Sequence, residues 1–327
     1  MFARYVALGI GAGLVSALLF ASVTAGSAPG VLLSYVAPLP VVIVALGWGH
    51  LVGLLAAAIG ALALSLIIGS SAGLGLALGA GLPAWLLSYL TLSTLRSAGP
   101  AGPAWLPPGH LLLVVVVVAS MLVLAGAVAV GGGDHAVYRA TLARFAEAFL
   151  RLYNNAPREG PVPDVMGVRA AAFINFMTAI TPAVMGGVLA AVLTANLWIG
   201  ARIVSVSGRL PRPWLPSPDT RMPPAALGLL LAGCVLALMP GFAGVAGKAF
   251  LGALGLALVL QGFALLHAIT LGRTSRGLVL AAAYLLTIIA AGPFLPLMAA
   301  AGLADIATPI RRRLSGTSGP TPPRSTS

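Results

Sequence analysis

Residues 111–130 read LLLVVVVVASMLVLAGAVAV, twenty consecutive positions without one charged side chain. As an α-helix such a run is ~30 Å long, which is the thickness of a bilayer's hydrocarbon core. A surface helix of a soluble domain carries a polar face, and this run has none. The pattern recurs in both directions. Windows of about 19 residues mark apolar segments at 6–25, 31–47, 51–68 and 74–95 before it, and at 183–204, 225–239, 245–269 and 277–291 after it. A last stretch, 294–306, is short and is disturbed by Pro293 and Pro296. Charged residues make up 7% of the 327 positions and hydrophobic ones 59%, with a mean hydropathy of +1.05. A soluble domain has ~25% charged residues. The sequence therefore predicts an all-α, polytopic membrane helix bundle of nine or ten hydrophobic segments.

Charge gives the orientation. The 18 Lys and Arg outnumber the 6 Asp and Glu, an excess that the positive-inside rule explains without a nucleic-acid partner. With a cytoplasmic amino terminus and ten crossings, the cytoplasmic side holds Arg4, Arg96, Arg202, Arg209, Arg212, Arg221, Arg273, Arg276, Arg311, Arg312, Arg313 and Arg324. The other side keeps Arg139, Arg144, Arg151, Arg158, Arg169 and Lys248, together with Asp134, Glu147, Glu159 and Asp164. Both termini are thus expected in the cytoplasm, and the protein in a bacterial inner membrane. The first segment also has the layout of a secretory signal, with Arg4 before it and Val23 and Ala25 at cleavage spacing. It is long for a signal, and the orientation survives either reading.

Four regions follow: a five-span half (1–131), an outer helix and linker (132–163), a second membrane half (164–310) and a basic Ser/Pro tail (311–327) expected to be disordered. In the linker, Tyr138, Leu142, Phe145, Phe149 and Leu152 recur at steps of four and three. Arg144, Glu147 and Arg151 share another face. This is an amphipathic helix lying in the interface, capped by Asp134 and stopped by Asn154, Asn155 and Pro157. It either packs on the bundle or covers a cavity. The Pro-rich stretches 97–109 and 205–224 read as a stiff connector and as an extended surface segment; Trp105 and Trp214 supply interfacial anchors.

No catalytic pattern is present: no nucleophile elbow, no His-Glu-x-x-His, no Walker loop and no paired carboxylates in a span. His50, His110, His135 and His267 lack metal-ligand spacing, and the single cysteine, Cys234, sits in an apolar run. No cofactor is expected. Polarity inside the spans is the remaining signal. Asn175, Thr178 and Thr181 recur every three residues up to Pro182. A straight helix over 164–204 would be ~60 Å long, so it is expected to break there and expose a site. Gln261 is the other candidate for such a cavity, with His267 six residues on, pointing to a different face. The alternative for both is hydrogen bonding between helices. Gly9 and Gly13, Gly49 and Gly53, and Gly75 and Gly79 have spacings that permit close helix contact, a weak signal in a chain with 41 glycines.

Three stretches of the second half carry a resemblance. They are Asn196-Leu-Trp through Arg202 to Ser207-Gly-Arg209-Leu-Pro-Arg212-Pro213, then Gln261-Gly-Phe-Ala-Leu-Leu-His267 through Gly272-Arg273, and Gly302-Leu-Ala-Asp305 ahead of Arg311. In order and spacing they resemble a bacterial membrane family, the domain of unknown function 2232, in its alphaproteobacterial form. That family is distantly similar to the substrate-binding membrane subunits of energy-coupling-factor transporters. The resemblance implies a permease or substrate-binding component, with the bilayer, a small-molecule ligand and an energising membrane subunit as partners. The alternative is a membrane scaffold or assembly factor acting through its Arg- and Pro-rich cytoplasmic surface.

Overall fold

The computed structural model describes residues 2–99, 102–157, 159–164, 167–213, 220–308 and 310–311. Pro100, Trp214, Arg158, Arg312, Arg313 and the Ser/Pro tail lie outside the described residues. The described residues fold as α-helices, with one short hairpin among them. Helix α1 (Phe2–Ala21) is followed by α2 (Ala28–Ser34) and α3 (Pro38–Trp48), then α4 (His50–Ile67). Helices α5 (Ser70–Leu76) and α6 (Leu82–Thr91) are joined through a π-helical turn into one rod. Next come α7 (Pro108–Gly131), α8 (His135–Tyr153) and α9 (Ala170–Val206). The last four are α10 (Ala225–Ala237), α11 (Gly241–Ile269), α12 (Arg276–Ile289) and α13 (Ala291–Ala307). Among the described residues seven helical stretches are long and apolar enough to cross a membrane: Ala3–Ala25, Ala28–Trp48, His50–Ile67, Ser70–Thr91, Pro108–Gly131, Ala170–Val206 and Gly241–Ile269. The other three expected segments are the shorter α10, α12 and α13.

Small residues set how these rods pack. In lipid there is no hydrophobic drive between helices, so close backbone approach must supply the contact. A methyl group added at Gly252 of α11 would overlap the carbonyl oxygen of Ala183 on α9, and one at Gly186 of α9 would overlap that of Ala249. The two helices therefore run parallel with Gly186 beside Gly252. Gly262 and Gly302 repeat the arrangement between α11 and α13, against the carbonyls of Met298 and Leu258. Gly13 and Gly60 do so between α1 and α4. Of the spacings noted in the sequence, Gly13 and Gly53 make such contacts. Gly79 meets nothing, and Gly49 serves a turn with φ +106°.

Four apolar clusters result among the described residues, two of them large. One gathers Val41, Val42, Leu46, Ala56 and Ala84 of the first helices around Val204 of α9. The larger joins Val115, Val116 and Ala119 of α7 to Ala190, Leu193, Ala253, Leu254 and Ile306. Helix α7, counted with the first half from its position in the chain, thus packs with the second. Helix α9 reaches both clusters.

Three features differ from the sequence expectation. Residues Thr94–Gly99 and Gly102–Trp105 pair as an antiparallel hairpin within the Pro-rich connector. The helix expected to break at Pro182 continues through it, 37 residues and ~55 Å long. A proline removes one ladder bond without ending a helix when neighbours hold both sides. Here α8 and α11 pack beside Pro182, which is buried. Finally, with Gly302 beside Gly262, Ala291 stands about level with Leu251, so α13 begins ~15 Å short of the start of α11. Helices α12 and α13 share Ala290 as the residue between them, and the turn is apolar, with Ile288 and Ile289 exposed. The chain turns at Ala290, short of the far end of α11.

Candidate functional site

At the end of the bundle where α8 lies, the chain leaves a cavity of about 440 Å³ between α8, the first half of α9 and the start of α11. Helix α8 begins at Asp134, whose carboxylate accepts from Ala136 N–H at 2.7 Å after the turn made by Gly132 and Gly133. Tyr138, Ala146 and Leu150 face the bundle, whereas Phe145 (69% exposed), Phe149 and Leu152 face outward. The single apolar stripe read from the sequence is therefore two. One packs on α7 and α9 and the other is free for the bilayer interface, as on an interfacial helix. Glu147 and Arg151 pair at 2.8 Å on the polar side.

The first turns of α8 send His135, Tyr138 and Arg139 into the cavity wall; α9 adds Thr178, Ala179 and Pro182, and the α10–α11 turn adds Met239, Pro240 and Gly241. Lys248, two turns into α11 and the only lysine in the chain, completes it. Tyr138 and His135 rest on Phe242, at ring distances of 6.2 Å and 5.5 Å. Burial pushes the Tyr138 phenol above its usual range, so it stays a neutral donor. Helix α11 opens from Pro240 without a side-chain cap, and Pro240 and Gly241 form part of the cavity wall. Among the described residues no carboxylate lines the cavity. Among the described residues the acids of this end are otherwise engaged or exposed: Asp134 on its cap, Glu147 on Arg151, Asp164 on the Ala170 N–H, and Glu159 in the open.

Of the residues expected in a shared cavity, only Thr178 lines this one. Three residues advance a helix by ~300°, so Asn175, Thr178 and Thr181 fan across ~120°, and here only the middle one reaches the cavity. Asn175 is exposed, and Thr181 turns its hydroxyl back to the Met177 carbonyl at 2.7 Å. Gln261 is not part of it. Thirteen residues beyond Lys248 on α11, it lies ~20 Å away and is fully buried.

Gln261 instead forms a polar knot at the opposite end. Its carbonyl accepts from Met222 N–H at 3.1 Å and its amide donates to Asp305 Oδ2. Asp305, 0% exposed, is clasped by Arg311 through Nε at 3.0 Å and Nη2 at 2.6 Å. Arg311 Nη2 also donates to the Thr220 carbonyl at 3.0 Å. The end of α13, the middle of α11 and the loop before α10 are thus tied together. Other resemblance residues do similar work at this end. Arg212, buried, donates to the Thr91 carbonyl at 3.2 Å, and burial pushes its guanidinium below the usual range. Arg209 stacks over Trp48 at 4.9 Å. His267 meets Tyr284 Oη at 2.9 Å and Arg276 Nη2 at 3.3 Å. Asn196 donates to the Tyr35 and Val192 carbonyls, both at 2.8 Å, and Arg202 is exposed. These are loop and helix tethers. Lys248, counted by charge on the outer side although it falls within the apolar segment 245–269, is a site residue that the sequence does not single out; its position within that run is the available signal.

The fold and its lipid-facing helices define a multi-pass integral membrane protein with a cavity at one end and a polar lock at the other. The chain belongs to the DUF2232 family of predicted membrane proteins, which it matches over residues 14–306. No curated protein and no solved structure matches it.

Proposed function

We propose that this protein is a small-molecule binding component of a transport process, a permease or the substrate-binding subunit of one, working without catalysis in a bacterial inner membrane. Both termini face the cytoplasm, which puts the α8 cavity on the outer side. The observation that carries this reading is the cavity itself, since ~300–1,000 Å³ is the usual size of small-molecule sites and its wall mixes polar and apolar groups. Helix α8, interfacial on one face and cavity-lining on the other, suits a cover that moves with ligand entry. An energising membrane subunit would have the basic, loop-rich end to dock on.

The test is a search for molecules that co-purify with the detergent-solubilised protein or raise its melting temperature, repeated on Ala179→Trp. Ala179 is exposed in the cavity wall, so the indole fills the space without replacing a core side chain. Loss of the ligand-induced shift in a folded variant supports the reading. A rival role as scaffold draws on the loop surface that Arg212 and Arg311 hold in place. Ligand indifference, combined with a partner lost when residues 205–224 are replaced, would decide for it.

A further inference from the structure

We infer that the cavity between α8, α9 and α11 takes an organic anion, a carboxylate or phosphate group on an apolar body, with Lys248 as its counter-charge. The inference rests on the small-molecule reading above and names the ligand's chemical class.

Lys248 stands seven residues into α11, ~10 Å from the helix start, at a depth where an ammonium is costly unless it meets an anion or water. Among the described residues no carboxylate lies within ion-pairing distance of it. Its surroundings add to the positive field. Arg139 and His135 share the cavity wall, and Pro240 and Gly241, at the uncapped and positive end of the α11 dipole, line it too. Tyr138 contributes a neutral hydroxyl donor. A cation would find no acceptor charge here, and a neutral solute would leave the ammonium unpaired. The remaining wall, from Pro182, Met239 and Val245, is apolar and fits a hydrocarbon body attached to the charged group. Two sources share this chemistry: a soluble amphiphilic anion and the headgroup of an anionic lipid.

The experiment uses the full chain in phosphatidylcholine nanodiscs, with hexanoate, hexyl phosphate, hexanol and hexylamine as probes and melting temperature as the readout. Hexanoate and hexyl phosphate are expected to raise it, and hexanol and hexylamine at the same concentration to leave it unchanged. Lys248→Gln should weaken the anions by about 10- to 100-fold, the effect of losing one charge-assisted bond, and Lys248→Arg should retain them. Native mass spectrometry from discs with equal parts phosphatidylglycerol and phosphatidylcholine separates the sources. Phosphatidylglycerol retained by the wild type, lost in Lys248→Gln and displaced by hexyl phosphate assigns the lipid; soluble probes bound with no retained phosphatidylglycerol assign the free anion. If hexanol or hexylamine binds as well as hexanoate, or Lys248→Gln keeps the anion affinity while Ala179→Trp abolishes it, the charge assignment is overturned and the cavity reading stands. If no probe binds the folded wild type while a different molecule co-purifies in the cavity, the anion assignment alone falls; if nothing binds in either experiment, both fall.

Discussion

Removing Arg311 should cost more than removing its partner Asp305, although both break the same ion pair. Asp305 is 0% exposed and Arg311 18% exposed. When Asp305 becomes Asn, Arg311 can turn its guanidinium toward water, and Gln261 keeps an oxygen to donate to. When Arg311 becomes Ala, a carboxylate is left where water does not reach, and the Thr220 carbonyl loses its donor. Breaking a buried pair costs about 3–5 kcal/mol. The asymmetry places Arg311→Ala near the top of that range and Asp305→Asn nearer 2–3 kcal/mol, about one neutral-for-charged hydrogen bond plus the lost attraction. Equilibrium unfolding in mixed micelles, carried out on both single variants and the double, measures this directly. The double variant should cost less than the sum, with a coupling energy of about 2 kcal/mol, within the range for residues in contact. An Arg311→Ala variant within about 1 kcal/mol of wild type, or single costs that add within about 0.5 kcal/mol, would refute the knot as an energetic unit.

Gly252→Val should separate α9 from α11 and destabilise the protein by at least about 1–3 kcal/mol, whereas Gly255→Ala, which meets nothing within 4 Å, should be neutral in the same unfolding assay. In a Cys234→Ser background, a cysteine at Asn155 should react with an impermeant maleimide on intact cells and one at Ser207 only after permeabilisation; the reverse pattern would invert the proposed orientation. Leu150→Ala, at a fully buried position of α8, should cost about 2–4 kcal/mol. Phe145→Asp with Phe149→Asp should leave stability in detergent nearly unchanged but open the helix to protease in vesicles, and equal protection in vesicles would show that the outward stripe does not anchor it.

Hydropathy locates the helices because each span must satisfy its backbone internally, so long apolar runs have few alternatives. That is why 111–130 and 245–269 appear inside α7 and α11, close to their read limits. The breaks are less legible. Pro182 carries the usual signature of a discontinuous helix, yet whether a proline ends a helix depends on what packs beside it, and that information lies in α8 and α11 rather than in α9. The short reach of α12 and α13 is likewise set by the Gly262 and Gly302 contact, which fixes the level of α13 against α11. At the site, the polar residues Asn175 and Gln261 stand out in the sequence by their cost in lipid, and the cost is met differently for each. Gln261 pairs with Asp305, a residue whose own position at the end of an apolar helix announces no partner. Lys248 was masked by its charge: one lysine seven residues after Gly241 fits a helix flank as well as a cavity wall, and only the position of α8 distinguishes them.

The knot around Asp305 also has a place in time. Gln261 and Asp305 are separated by 44 residues, and the Thr220 carbonyl and its Arg311 donor by 91. At ~5–20 residues per second the loop at Thr220 waits roughly 5–20 s for that donor to be synthesised. Meanwhile the Gln261 amide lies in an apolar helix without its final acceptor, and α11 can be inserted but not locked. Arg311 closes three earlier segments at once, so a nascent chain that stalls before it presents unpaired polar groups to the bilayer and to membrane proteases. Synthesis as far as Arg311 is thereby written into the stability of helices made long before it.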